Sequence, residues 1–113
     1  MMASIEELQQ EISEFCAERD WDQFHDLKNL AIALNVESGE LLEAFLWKEA
    51  DDVKREKLQE ELADVLIYVL RFAEKAHLDI SEIVRKKLAV NREKYPVGLA
   101  KGNATKYTEF KKC

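Results

Sequence analysis

A chain of 113 residues, 47% hydrophobic and 35% charged, is long enough for one domain and too rich in apolar residues to default to disorder. Its formal net charge of −6 excludes broad, nonspecific binding to nucleic acid polymers, because neutralising phosphates needs a basic surface. Three glycines and one proline leave few tight turns and favour long helices, so an all-α fold is expected.

The N-terminus, MMASIEELQQEI, is acidic and amphipathic, with no apolar signal-peptide core. Ser4 and Glu7 form an S-x-x-E capping box, and Ile5, Leu8, Ile12 and Phe15 follow at helical spacing. A first helix is predicted over about 4–19, with Cys16 in its core. DWDQFHD, residues 20–26, is aromatic, acidic and aperiodic, and reads as a connection. A second helix is predicted from Leu27 to about Trp47; EADDVKRE makes the bend into a third, which runs to about His77. DISE, residues 79–82, is another capping signature and starts a fourth helix carrying Ile83, Val84, Leu88 and Val90, which Pro96 stops. Residues 1–96 are thus read as one helical domain, and 97–113, with several lysines and no sustained period, as a tail ordered only if it packs on another surface.

Cys16 and Cys113 are far apart and lack the spacing of a zinc site or a disulfide framework. Cys113 reads as a free terminal thiol, which suits a reducing cytoplasm. No apolar run approaches the ~20 residues of a membrane span, so a soluble cytoplasmic protein is expected.

Two tetrads stand out. ESGE, residues 37–40, and ELAD, residues 61–64, each place two acids at i, i+3 just before an apolar stretch. At 100° per residue, Leu30, Leu34, Leu41 and Phe45 share one face of the second helix, and Leu58, Leu62, Val65, Val69 and Phe72 one face of the third. Glu37 and Glu61 sit at the shoulders of those faces, flanked by Glu40 and Asp64. A single shoulder carboxylate is usually just solvated. Two matched pairs on packed helices converge on one small volume, where their charges repel unless a cation neutralises them. Clustered carboxylate oxygens suit a hard cation, Mg²⁺ in particular. A di-iron centre of the Glu-x-x-His type needs that pair on two helices and is disfavoured, because only Glu74 and His77 have the spacing and His25 follows an aspartate.

The backs of these helices are apolar too, through Ile32, Val36 and Leu46 on the second and Ile67 and Leu70 on the third. A helix apolar most of the way round needs more than one packing partner, which predicts a homo-oligomer. On the fourth helix Lys87, Asn91 and Tyr95 fall at i, i+4, i+8 and make a polar stripe that can meet a polyphosphate, or simply a solvated basic face. Trp21, His25, Trp47 and Tyr68 lie near the acids in sequence; as flat side chains they suit stacking on a base, though such residues also serve in packing.

The segments ERDWDQFHDLKNLAIAL, ESGELLEAFLW, EELADVLIYVLRFAEKAHLDI, KLAVNREKYP and KYTEF, in this order, resemble the all-α nucleoside triphosphate pyrophosphohydrolases of the MazG-like group, and within it the dCTP pyrophosphatases. The resemblance covers most of the chain. It implies a four-helix unit assembled as a dimer or tetramer, Mg²⁺ held by Glu37, Glu40, Glu61 and Asp64, and nucleotide contacts from Trp21, His25, Trp47 and Tyr68. It also implies polar residues of the fourth helix near the phosphates, here Lys87, Asn91 and Tyr95, and the conversion of a dNTP and water to dNMP and pyrophosphate. Two positions depart from the pattern: Val36 precedes Glu37 where many MazG-like members pair two glutamates, and Ile12 stands where the dCTP enzymes carry a pocket histidine. The resemblance therefore constrains the reaction more tightly than the base. A broad-specificity NTP or dUTP hydrolase and a non-catalytic helical oligomerisation module are the alternatives.

Overall fold

The structure, a computed structural model, describes residues 2–104. The KYTEF run and Cys113 lie outside the described residues.

Ser4 starts α1 (Ile5–Glu18): its hydroxyl accepts the Glu7 N–H at 3.1 Å, as the capping box requires. α1 stops where Asp20 adopts φ 55°, with the Asp20 N–H bonded to the Ala17 carbonyl and the Trp21 N–H to that of Cys16. This is the Schellman pattern made without glycine. A single 3-10 turn, Asp22–Phe24, occupies the connection, and Asp26 caps α2 (Leu27–Glu43) by accepting the Asn29 N–H at 2.7 Å.

α2 ends four residues before the expected Trp47. The N–H groups of Phe45, Leu46 and Lys48 reach back only three residues, to Leu42, Glu43 and Phe45, and Trp47 takes φ 62°. Apolar spacing continues through Leu46, but it does not distinguish a last α-turn from tighter ones. After the 3-10 turn Ala50–Asp52, α3 (Arg55–Lys75) begins; His77, at φ 57°, ends it with a second Schellman pair, His77 to Glu74 and Leu78 to Ala73. Asp79 caps α4 (Ile80–Lys94), accepting the Glu82 N–H at 3.0 Å as DISE predicts. Pro96 does not simply end the helical part. It caps a one-turn α5 (Val97–Ala100) inside the stretch read as tail.

The chain divides into two compact units at Leu78/Asp79, within the span expected as one domain. In the first, α3 packs on both α2 and α1. Its buried hydrophobic residues are few and mostly small: Cys16, Leu30, Ala44, Val53 and Ala73. The Gln9 side chain donates to the Leu70 carbonyl at 3.0 Å and ties α1 to α3. Leu62, expected on the core face, is half exposed; the outer side of α2 is open at Ile32, Val36 and Leu42, and Leu46 is exposed in the turns after it. The second unit, carrying α4 and α5, leaves Ile83, Val84, Leu88 and Val90 substantially exposed. All described regular elements are helices, in agreement with the expected all-α class.

Candidate functional site

The pairing of α2 with α3 brings the two tetrads together. One carboxylate oxygen from each of Glu37, Glu61 and Asp64 lies within 4.8 Å of the others. Glu40, one turn beyond Glu37, lies close enough to share a proton with it, and is more exposed. Glu61 is 7% exposed, a rare position for a carboxylate. Its Oε1 is 2.9 Å from Lys57 Nζ, whereas its Oε2 and the Oε2 of Glu37 are buried with no hydrogen-bond partner.

Crowding has an electrostatic signature. The pKa of Glu37 is pushed up to about 7, chiefly by the proton it shares with Glu40, then by burial and by the charges of Glu40, Asp64 and Glu61. Lys57 is shifted up by its bond to Glu61. Two orphaned buried oxygens among repelling carboxylates are what a bound divalent cation would satisfy, and an all-oxygen donor set suits a hard ion. The residues present therefore fit a metal of that class.

Glu37 and Asp64 also form part of the wall of a cavity of about 420 Å³, within the usual size range of small-ligand sites. Trp21, His25 and Tyr68 line it with them. Three of the four aromatic candidates therefore share one hollow with two of the acids. The fourth, Trp47, stands in the turn after α2 and is 99% exposed. Ile12 also lines the cavity, so the departure from the histidine pattern falls on its wall. The Tyr68 hydroxyl is shifted up by burial and by the nearby Glu37 and Asp64 charges. Lys87 and Asn91 are carried by α4 in the second unit; Tyr95 follows as its C-cap, and its N–H donates to the Asn91 carbonyl at 2.8 Å.

Of the cavity residues that the sequence reading did not single out, one holds a network of side chains together. Arg71, 2% exposed, donates from Nε to His25 Nδ1 at 3.1 Å, from Nη2 to Asp22 Oδ1, and from Nη1 to Glu74 Oε1 at 3.4 Å. Lys75 adds a 3.0 Å bond to Asp22 Oδ1. Together they clamp the connection that carries Trp21 and His25. Lys75, then Arg71, hold the Asp22 carboxyl below its ordinary value. The signal was present: Asp64, Tyr68, Arg71 and Lys75 step along α3 at i, i+4, i+7, i+11, a charge set within an apolar run.

Residues 32–110 match the MazG-like family model. The chain belongs to the MazG-like family. It is 44% identical to dCTP pyrophosphatase 1 of Mus musculus, over 95% of this chain and 68% of the relative, and 42% identical to that of Homo sapiens over the same shares. The crystal structure of a pyrophosphatase from Archaeoglobus fulgidus superposes with a TM-score of 0.77 at 36% identity, covering 85% of this chain and 95% of the other. These likenesses set aside the non-catalytic helical module. Among the described residues, no helix is long and apolar enough to cross a membrane.

Proposed function

We propose that this nucleoside triphosphate pyrophosphatase is an Mg²⁺-dependent enzyme of the cytoplasm that converts a deoxynucleoside triphosphate, dCTP or a 5-modified dCTP foremost, to the monophosphate and pyrophosphate. The observation that carries it is the double membership of Glu37 and Asp64, which belong both to the acid cluster and to the wall of the aromatic-lined cavity. A ligand in the hollow would thus bring its phosphates against the carboxylates. The dCTP preference rests on the relatives named dCTP pyrophosphatase 1.

Glu37, Glu40, Glu61 and Asp64 would hold Mg²⁺, which when bound neutralises phosphate charge and lowers the pKa of a water. The chain's own groups do the rest. Trp21, His25 and Tyr68 orient the base, and Phe15 and Ile67 keep that part of the cavity apolar. A carboxylate of the cluster accepts a proton from the attacking water as its oxygen bonds to the α-phosphorus. The bond from that phosphorus to the α,β-bridging oxygen breaks, and pyrophosphate leaves with the electron pair. Trp47 and the Lys87, Asn91 and Tyr95 stripe are proposed as further substrate contacts. The open apolar back of α2 supports a homo-oligomer, a dimer or tetramer.

The test is release of dNMP and pyrophosphate from a panel of dNTPs and NTPs, with Mg²⁺ and with chelator. Metal-dependent formation of dCMP above all other products is the expected result. Because Ile12 makes the cavity wall apolar where the resembled enzymes have a histidine, equal turnover of all bases is the outcome that would replace dCTP preference by broad NTP specificity.

A further inference from the structure

The His25 side chain is bonded to Arg71. Arg71 is buried, and a guanidinium has five N–H donors and no acceptor. The ring atom 3.1 Å from its Nε must therefore offer a lone pair. A doubly protonated imidazolium has none to offer. The Nδ1–H tautomer would set two hydrogens head to head. Only the neutral ring with its hydrogen on Nε2 satisfies the contact.

We propose that Arg71 is a positioning residue that locks His25 as the Nε2–H tautomer, so that the cavity presents a hydrogen-bond donor to an acceptor atom of the nucleotide base, a carbonyl oxygen or bare ring nitrogen. His25 lines the cavity, and with Nδ1 committed to Arg71, Nε2 is the ring nitrogen left for a ligand. Arg71 is itself held from turning by Asp22 and Glu74, with Lys75 also bonded to Asp22. The charge balance around the ring agrees: burial, then the Arg71 charge, lower the pKa of His25, with Asp22 opposing and Lys75 reinforcing. The ligand part of this inference rests on the pyrophosphatase reading; the tautomer does not.

The experiment is a long-range ¹H–¹⁵N correlation of the imidazole rings in the full chain at neutral pH. The sequence has two histidines, so a His77→Gln sample assigns the signals. A protonated Nε2 and a bare Nδ1 on His25 are expected, and Arg71→Met should abolish that pure pattern. Kinetically, Arg71→Met should raise KM for the preferred dNTP about five- to tenfold, with kcat within about twofold, the scale of one lost neutral hydrogen bond. An Nδ1-protonated or cationic His25 in the wild type overturns the proposal. So does an unchanged ring pattern or an unchanged KM in folded Arg71→Met. If that variant does not fold, the wild-type ring spectrum decides alone. The expected spectrum in a protein that turns over no nucleotide fails the pyrophosphatase reading and leaves the tautomer standing; the wrong spectrum with turnover intact fails this inference only.

Discussion

Lys57 sets its ammonium 2.9 Å from the carboxylate of Glu61, one helical turn on along α3, and so places an internal cation against the most buried acid of the cluster. Replacing Lys57 by Met leaves that carboxylate without its ion-pair partner. The chelated variant should melt a few degrees below wild type. Mg²⁺ should then raise the melting temperature more in Lys57→Met than in wild type, because the ammonium no longer competes for Glu61. Melting curves with and without Mg²⁺ check both, and identical shifts in the two proteins would show the pair to be idle.

Glu37 should make the chelated protein less stable as pH rises. Its folded pKa, about 7, lies above the ordinary carboxylate value of 4.5, so the native state holds the extra proton between those values. The associated stability is complete below about 4.5 and lost as pH climbs through 7. His25, whose pKa is lowered from 6.5, acts in the opposite sense below that value, and Asp22, lowered from 3.8, matters only in stronger acid. The diagnostic is therefore the difference between wild type and Glu37→Gln. That difference should grow in favour of the variant from pH 5 to pH 8, and saturating Mg²⁺ should remove it.

Glu40→Gln and Asp64→Asn should each lower kcat/KM by more than the roughly 10–100-fold that loss of an outer-shell partner of a metal typically costs. Both should remain folded in chelator, since each removes a repelling charge. Retained turnover in both purified proteins would take the four acids out of the mechanism.

Gly39 lies in the middle of α2, and a Cβ built on it meets nothing within 4 Å. By helical spacing it shares the open face of Ile32 and Val36. In a monomer Gly39→Ala should stabilise the helix by about 0.5–1 kcal/mol. If a second copy packs on that face, the added methyl instead weakens self-association. Sedimentation of Gly39→Ala against wild type should show the shift toward smaller species that the proposed homo-oligomer requires; no change would place the subunit contact elsewhere.

Much of this was legible because the fold repeats simple local rules. Ser4 and Asp79 announce their helices by side chains that cap them, and the two acid tetrads follow from 3.6-residue spacing alone. Arg71 was missed for a different reason. Its partners Asp22 and His25 lie 49 and 46 residues away, in an aperiodic segment whose path no periodicity predicts. The end of α2 was misplaced because a positive φ at Trp47 leaves no trace in side-chain patterning. Leu62 shows the limit of a face computed from angles: the partner helices cover only part of it.

The two tryptophans differ in their settings. Trp47 is bathed in water on every side, while Trp21 stands edge-on to Phe15 at 5.6 Å in the cavity wall. Their emission therefore divides into a hydrated component and one tied to the hollow. Anything that fills the cavity perturbs the Trp21 indole directly, whereas Trp47 responds only when a substrate or a second copy of the chain covers it. The protein carries its own gauge of occupancy and of assembly in two rings.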